Sequence, residues 1–350
     1  MRPVAILLVW ALGLCARAFP VWLLWTTPED PAYLRHVPEL LSSAQREILV
    51  ALSDLRTYSD GTTDPLLLAL RKAKERGAEV YVLIERGADA VAPGQREAEE
   101  LLRSWGIAVR PDNPQVTLHA KFLVLDGRYV VVGSTHWTKS ALTRSVQVDL
   151  VLDCPELAGI FRSFFFRLWD GRLEAQAQLP GTPWPAPAIL PLLDLPETLV
   201  HTQALATLLA QAKKETLVLL YQVVYYPQYP DSPSTRLLGH LAWGASRGQR
   251  IRVLLEGGEG TPEVGDSNRL SGVWLYSQGA DVRFDPVGII MHAKALVMDG
   301  QHVVVTSANW TYAGLARNVE AGVLLFGVPE LAAILAGKFH ELWGRSRPLP

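Results

Sequence analysis

One short motif occurs twice in this chain, and the duplication limits the possible folds more than any other feature. "VTLHAKFLVLDG" runs from Val116 to Gly127, and "IIMHAKALVMDG" runs from Ile289 to Gly300. Each copy carries His, Lys and Asp at the spacing His-x-Lys-x-x-x-x-Asp. A pattern repeated over so long an interval indicates two copies of one structural unit. We therefore expect two domains related by duplication.

The segments around the motif also repeat, and they predict the fold class. "EILVALSDLRTYSD" parallels "ETLVLLYQVVYY", and each is typical of a buried strand followed by a polar or aromatic loop. In each copy a helix follows that stops at Gly77 or Gly248, and then a strand that runs to Glu85 or Glu256. Further apolar strands and an amphipathic helix complete the copy. The order predicts an α/β fold with two parallel or mixed sheets, each flanked by helices.

Four segments are expected along the chain. Residues 1–18 combine an apolar run with the small-x-small pattern Ala16-Arg17-Ala18, which is typical of an export signal, so we expect a periplasmic or secreted protein. Residues 19–172 form the first predicted domain and residues 199–350 the second. Residues 173–198 form the predicted linker. They contain six prolines between Leu179 and Pro196, and this density blocks helices and central strands.

Charge limits the classes of partner. Lys and Arg total 33 against 35 Asp and Glu, for a formal net charge of -2. A protein that holds a long polyanion through many phosphates usually has a basic surplus, and this chain has none. A local basic cleft remains compatible with that average.

The repeated motif indicates an anion site. Side chains alternate across a strand, so His119 and Lys121 share one face, as do His292 and Lys294. Duplication alone gives no reason to keep a Lys between apolar strands, where its desolvation is costly. The ends of the following strands, "GSTHWT" and "TSANWT", add polar side chains in both copies: Ser134 and His136 in the first, Ser307 and Asn309 in the second.

The paired motifs, each followed by a Ser and a polar residue, resemble those of the phospholipase D superfamily. The resemblance covers nearly the whole chain after residue 18. It implies a metal-independent phosphodiesterase without a cofactor, in which the two motifs meet at the domain interface to form one active site. It also implies a phosphohistidine intermediate, since one imidazole attacks phosphorus while the other protonates the leaving group.

The resemblance further implies roles for individual residues. His119 is assigned as nucleophile and His292 as acid and base. Glu320, in "RNVEAG", matches the family's acidic residue that holds a catalytic imidazole by its other nitrogen. The groups expected to hold the phosphate oxygens and offset their charge are Lys121, Lys294, Ser134, Ser307, Asn309 and His136.

The first copy departs from the family pattern. Gln147 stands opposite Glu320, and Ser145 stands opposite Asn318. A neutral Gln orients an imidazole but stabilises an imidazolium less than a carboxylate does, and Asp149 is a candidate substitute. These departures leave open a phosphate-binding module with weak or no turnover.

Other acidic residues have ordinary structural interpretations. Asp126 and Asp299 each precede a Gly, a common hairpin turn, so a supporting structural role fits them at least as well as a catalytic one. Glu85 and Glu256 end strands and are expected on the rim of the site.

Two substrate classes fit the sequence. The loop "YQVVYYPQYP", Tyr221 to Pro230, suits the boundary between water and lipid and favours a phospholipid at a membrane surface. The same tyrosines would stack bases in an exported endonuclease acting on DNA or RNA. Since both motifs lie in one chain, no obligate protein partner is expected and a monomer is the default.

Overall fold

The computed structural model describes residues 7–10, 18–86, 93–174, 184, 186–259 and 261–349. They form two α/β halves with the same order of elements. The first half contains, in chain order, β1 (Leu7–Trp10), β2 (Ala18–Thr26), α1 (Ala32–Ser43), β3 (Glu47–Leu52), α2 (Asp64–Glu75), β4 (Glu79–Ile84), α3 (Pro93–Ser104), β5 (Ala108–Pro111), β6 (Lys121–Leu125), β7 (Tyr129–Gly133), α4 (Lys139–Thr143), β8 (Ser145–Asp153) and α5 (Pro155–Trp169).

The second half repeats this order after the proline-rich segment. It contains β9 (Ala188–Asp194), α6 (Val200–Gln211), β10 (Glu215–Leu220), α7 (Pro233–Ser246), β11 (Arg250–Leu255), α8 (Pro262–Ser277), β12 (Asp281–Phe284), β13 (Ile290–Met291), β14 (Lys294–Met298), β15 (His302–Thr306), α9 (Tyr312–Ala316), β16 (Glu320–Phe326), α10 (Pro329–Arg345) and β17 (Arg347–Pro348).

Each half is built on a mixed sheet, and this confirms the predicted fold class. The strand order is β1-β2-β8-β7-β6-β3-β4-β5 in the first half and β17-β12-β11-β10-β14-β15-β16-β9 in the second. β3, β4 and β5 are parallel, as are β10, β11 and β12, because helices connect them. The strands that carry and follow the His motifs are antiparallel.

The helix stops predicted from glycine are confirmed. α2 ends at Glu75 and α7 at Ser246, and the glycines that follow, Gly77 and Gly248, have φ of 99° and 81°. Gly adopts this left-handed conformation without the strain that a side chain would add.

The predicted linker extends too far towards the C-terminus. Residues 188–194 form β9, which pairs with β16 along its whole length at the edge of the second sheet. Pro191 lies opposite Val323 in this pairing. An edge strand tolerates proline because its missing N–H group can face away from the neighbouring strand. The second domain therefore begins within residues 173–198.

The predicted export signal falls largely on residues that the structure does not describe. Residues 1–6 and 11–17 lie outside the described ranges, while Leu7–Trp10 pair with residues 18–21 as β1 and β2. Cleavage and export stay predictions. Within the described ranges, no helix combines the length and the hydropathy needed to cross a membrane.

A shared hydrophobic core joins the two halves. Its residues come from both sheets and from the closing helices, including Phe161 and Phe165 of α5 and Leu335 and Phe339 of α10. All four side chains are buried, and each contributes about 1.5–3 kcal/mol relative to exposure. This packing holds the two halves together, so their His motifs keep a fixed relation.

The backbone before each motif crosses to the other half. β13 pairs in parallel with the start of β8, and the His292 N–H donates to the Val146 carbonyl at 3.0 Å. In the reverse direction, Leu118 bridges to Val319, whose carbonyl accepts from the His119 N–H at 2.9 Å. Hydrogen bonds with the opposite half therefore hold each motif at the interface.

Candidate active site

The two catalytic candidates are held crosswise by side chains of the opposite half. His119 Nδ1 lies 2.8 Å and 3.0 Å from the two carboxylate oxygens of Glu320, and His292 Nδ1 lies 3.1 Å from Gln147 Oε1. With Nδ1 of each ring held in this way, Nε2 is the nitrogen that can face a substrate, and in His292 it also lies 3.1 Å from the Lys294 ammonium. Each imidazole is held at Nδ1 by a side chain of the opposite half, so the site requires both halves.

Glu320 is a fully buried carboxylate with several donors. Besides His119, its oxygens accept from the Ser307 hydroxyl and from Asn318 Nδ2, the latter at 3.1 Å. Burial alone would raise the pKa of Glu320, but the charge and hydrogen bond of His119 and the charge of Lys121 outweigh it and lower the pKa to about 2. Glu320 is therefore ionised at neutral pH and favours a positive charge on His119.

Gln147 is the neutral counterpart of Glu320 and is also fully buried. Its Oε1 accepts from the Ser134 hydroxyl at 2.7 Å in addition to contacting His292. This arrangement orients His292 without placing a carboxylate beside it. Asp149 does not fill that role, because its oxygens accept from the backbone and hydroxyl of Thr135.

The two serines predicted to bind phosphate have other partners. The Ser134 hydroxyl donates to Gln147 and accepts from the Val148 N–H at 3.0 Å. The Ser307 hydroxyl donates to Glu320 and accepts from the Ala321 N–H at 3.0 Å. A hydroxyl has one proton to donate, so in this structure both serines position the residues that hold the imidazoles, and their predicted contacts with phosphate stay predictions.

His136 lies between the two catalytic imidazoles. Its ring centroid is 5.9 Å from that of His119 and 5.1 Å from that of His292. Ser53 Oγ lies 2.9 Å from His136 Nδ1, which leaves Nε2 for a ligand. The equivalent residue of the second half is Asn309, whose Oδ1 is buried and has no hydrogen-bond partner among the described residues. The predicted phosphate contacts of these two residues stay predictions.

Two residues that follow strand ends complete the site, and the sequence did not single out either. Ser53 follows β3 and holds His136, while Tyr221 follows β10 and packs its ring 4.5 Å from that of His292. Tyr221 was recognised only as part of an aromatic loop. Their shared position at the carboxyl end of a parallel strand is the signal that could have found them.

The two motif lysines form a buried cationic pair. The ammonium of Lys121 donates to the His119 carbonyl, and that of Lys294 donates to the His292 carbonyl at 2.8 Å. Lys294 also lies 4.9 Å from the centroid of the Tyr221 ring. Burial lowers the pKa of Lys121 to about 7 despite the opposing charge of Glu320, and burial together with Lys121 lowers that of Lys294 well below its usual range. An anionic ligand would supply the missing countercharge.

The imidazoles share this electrostatic environment. Burial first, and the positive charges of the lysines second, hold the pKa of His136 and His292 well below the ordinary value. The pKa of His119 is also lowered by burial, although Glu320 opposes the shift. Without a bound ligand these histidines are therefore neutral near pH 7, and the neutral imidazole is the form that can attack phosphorus. The side chain of His119 is 19% exposed and can be reached from solvent.

Asp126 and Asp299 lie in the turns that the sequence predicts. Both have positive φ, of 54° and 52°, and each follows the strand that begins at its motif lysine. Their carboxylates accept N–H groups at the start of the neighbouring strand: those of residues 45–47 for Asp126 and of residues 213–215 for Asp299. They lie at the far end of the strand from the imidazoles, so their role is structural.

Across the described ranges, no group of three or more His, Cys, Asp or Glu side chains could hold a metal ion. Glu85 and Glu256 are predicted on the rim of the site. They instead accept hydrogen bonds from the backbone just before each motif His, at Leu118 and Met291.

Both halves of the chain match one protein family. Residues 37–169 and 205–343 match the family model described as "Cardiolipin synthase, PLD-like domain", one match to each half. Mitochondrial cardiolipin hydrolase of Chlamydomonas reinhardtii is 29% identical over 140 residues, which cover 40% of this chain and 59% of that protein. The chain thus spans less than two thirds of that relative's length.

Two further relatives match both halves. Cardiolipin synthase B of Escherichia coli is 24% identical over 324 residues, 84% of this chain and 74% of that protein. The crystal structure of phosphatidylserine synthase from Haemophilus influenzae superposes with a TM-score of 0.74 at 14% identity, covering 94% of this chain and 87% of that one, and shows a common fold. The family matches cover most of the chain and include both His motifs, so this protein belongs to the phospholipase D-like phosphodiesterase superfamily.

Proposed function

We propose that this protein cleaves the phosphodiester of a phospholipid through a phosphohistidine intermediate, without a metal ion. The observation that carries the proposal is the crossed arrangement in which Glu320 holds His119, Gln147 holds His292, and two buried lysines lie beside the rings. Nucleophile, proton donor and charge stabilisation are then supplied by side chains alone.

The difference between Glu320 and Gln147 supports different roles for the two imidazoles. When His119 Nε2 forms a bond to phosphorus, its ring becomes cationic, and the adjacent carboxylate of Glu320 stabilises that charge. His292 has only a neutral amide beside it, so its proton is held less tightly and is available for transfer.

The reaction then runs in two steps. The negative charge of the bound phosphate raises the pKa of His292, so that its ring carries a proton when the substrate is in place. His119 attacks phosphorus, the bond from phosphorus to the head-group oxygen breaks, and the protonated His292 gives its proton to the departing alkoxide. In the second step His292 takes a proton from water, the resulting hydroxide attacks phosphorus, and the bond to His119 breaks. The enzyme returns to its starting protonation state, and phosphatidate and the head-group alcohol leave.

The positive groups hold the phosphate. Lys121 and Lys294 regain their charge when an anion enters, because the anion offsets the desolvation that lowers their pKa. His136 and Asn309 present polar atoms at equivalent places of the two halves. These four side chains would stabilise the developing charge on the non-bridging oxygens.

A phospholipid is the favoured substrate for two reasons. The named relatives are a cardiolipin hydrolase and a cardiolipin synthase. The loop that starts at Tyr221 also packs on α8, where Tyr225 stacks on Trp274 with centroids 4.3 Å apart. On this helix Leu270, Val273 and Tyr276 are exposed at a spacing of three residues, which suits contact with a lipid surface.

The test uses vesicles of phosphatidylcholine with 20% cardiolipin, added as a roughly millimolar suspension, and single-stranded and duplex DNA, all in EDTA. Wild type is compared with His119→Ala, His292→Ala and the control His340→Ala, which changes an exposed His of α10. We expect release of phosphatidate by wild type and control, and losses on the order of 10³-fold or more in both site variants.

The other outcomes identify the alternatives. Cleavage of DNA in preference to lipid would make the protein a nuclease, and transfer of the lipid phosphoryl group to added glycerol would make it a synthase. Binding of inorganic phosphate without turnover of any substrate would indicate a phosphate-binding module.

A further inference from the structure

Two buried acid pairs occupy equivalent places in the two halves. Glu85 directly follows β4 and Asp112 follows β5, while Glu256 follows β11 and Asp285 follows β12. The strands of each pair are parallel neighbours, so the two side chains meet at the carboxyl end of the sheet. Glu256 and Asp285 are almost completely buried, and Glu85 and Asp112 are partly buried. The mechanism above uses none of them.

Each pair binds the backbone immediately before a catalytic His. Glu85 Oε2 accepts the N–H of Leu118. The N–H of Met291 lies 2.6 Å from Glu256 Oε2 and 3.0 Å from Asp285 Oδ2. The same contact therefore occurs twice, at equivalent positions of the two copies.

The opposite side of each segment is bound to the other half of the protein. In an extended chain, successive N–H groups point in opposite directions. Those of His119 and His292 donate to Val319 and Val146 across the interface. The N–H one residue earlier points away from the interface, towards the acid pair. Carboxyl oxygens thus occupy the place where a neighbouring strand would supply a carbonyl.

The two carboxyl groups of a pair favour a single shared proton. Adjacent carboxylates cannot both ionise without strong repulsion. Burial first, and then the charge of Asp112, raise the pKa of Glu85 to about 8. Asp112 Oδ2 is buried and has no hydrogen-bond partner among the described residues, so a proton on the neighbouring Glu85 would satisfy it. Burial and Asp285 likewise raise the pKa of Glu256 to about 9.

The positive groups near the pairs do not neutralise them. The charge of Lys121 opposes the raised pKa of Glu85, but burial and Asp112 outweigh it. Near the second pair, Arg347 lies 3.5 Å from Asp285 Oδ1, the oxygen that also accepts the N–H of Gly257. That cation pairs with one carboxylate and leaves the second carboxyl, Glu256, protonated.

We propose that Glu85 with Asp112, and Glu256 with Asp285, are positioning pairs that each share one proton and fix the backbone from which a reacting His projects. The effect on catalysis rests on the proposed function. When the shared proton is lost at alkaline pH, repulsion separates the two carboxylates and releases the backbone N–H. The His then loses its alignment with phosphorus, so activity falls on the alkaline side.

The test compares Glu85→Gln with Glu85→Ala, and Glu341→Gln serves as the control because it changes an exposed carboxylate on α10. A Gln can accept from Leu118 and donate to Asp112, so it imitates the protonated Glu at every pH. At pH 7 we expect Glu85→Gln to keep kcat/KM within about threefold of wild type, and Glu85→Ala to lose on the order of 10²-fold, mainly in kcat.

The pH profile separates positioning from simple stability. The alkaline limb of wild type and control should move to higher pH in Glu85→Gln, because the pair that remains contains Glu256, whose pKa is raised further, to about 9. An unchanged alkaline limb, or equal losses for Gln and Ala, would overturn the proposal.

A second readout keeps the proposal independent of the reaction. The ring signals of His119 are followed by nitrogen NMR between pH 6 and 10 in wild type and Glu85→Gln. We expect a change in wild type near the alkaline limb that is absent in the variant. If wild type turns over no phosphodiester, the proposed function fails, but this NMR difference would still support the pair and its absence would refute it.

Discussion

Exchange of the two side chains that hold the imidazoles is the most informative perturbation. Glu320→Gln would place the same neutral amide beside both rings, and Gln147→Glu would place carboxylates beside both. Because each ring contacts the acceptor at 2.8–3.1 Å in the wild type, the exchanges alter charge with little change in shape. The chain therefore contains its own comparison between a carboxylate and an amide at equivalent positions.

The size of the effect follows from the pKa of Glu320. It is lowered from 4.5 to about 2, which corresponds to roughly 3 kcal/mol at 1.36 kcal/mol per pKa unit. If most of this interaction acts on the cation that forms at His119, Glu320→Gln lowers kcat by about two orders of magnitude. Because the folded pKa is depressed, the same interaction stabilises the folded protein above about pH 4.5 and is lost as pH falls towards 2.

The assay is hydrolysis of bis(p-nitrophenyl) phosphate at pH 7 in EDTA, with chemical denaturation at pH 7 and pH 3 alongside. Glu320→Gln should lose most of its rate, and its stability deficit should be smaller at pH 3 than at pH 7. Gln147→Glu should retain attack by His119 but raise the pKa of His292 and slow proton transfer. A loss of less than threefold in Glu320→Gln would refute the assigned role of the carboxylate.

Three other results are expected. Activity should survive chelation by EDTA, measured on the same chromogenic substrate, and complete loss on chelation would contradict a metal-free mechanism. The acid limb of kcat/KM should lie below pH 6.5, because the pKa of the nucleophile His119 is lowered; a limb above pH 7 would contradict that environment. Gly322→Ala should destabilise the fold by about 1–3 kcal/mol in urea denaturation, because its Cβ would lie 2.7 Å from Thr306 Cβ; unchanged stability would show that the strands can separate there.

Much of the fold follows from local patterns repeated in the sequence. The strands that carry the motifs, the helix stops at Gly77 and Gly248, and the closing helices are each specified by residues near one another in the chain. The sequence does not predict the edge strand β9 because Pro191 lowers its strand propensity, while its seven-residue pairing with β16 depends on a segment more than a hundred residues away.

The site was predicted in its members but not in all its contacts. His119, Lys121, His292 and Lys294 converge as expected, since a fixed motif marks them. The crossed contacts could not be read from the sequence, because Glu320 orients the His of the other half. The contacts of the two serines were not predicted for the same reason: sequence spacing does not show which oxygen their hydroxyls will reach.

The contacts of the two acidic residues that follow β4 and β11 could not be predicted from the sequence either. A strand-end carboxylate in an α/β protein is an ordinary candidate for a binding site, which is why Glu85 and Glu256 were placed on the rim. Their true partners are backbone N–H groups of Leu118 and Met291, far away in sequence. Backbone contacts of this kind leave no residue-type signal at the accepting segment.

The most direct test of the mechanism is capture of the covalent intermediate. Wild type and His292→Asn are mixed with bis(p-nitrophenyl) phosphate, quenched at alkaline pH within milliseconds to seconds, digested and examined by mass spectrometry. The proposal predicts a p-nitrophenyl phosphoryl group on His119, which accumulates in His292→Asn because water is no longer activated. An adduct on His292 of wild type, or steady turnover with no adduct on either residue, would contradict it.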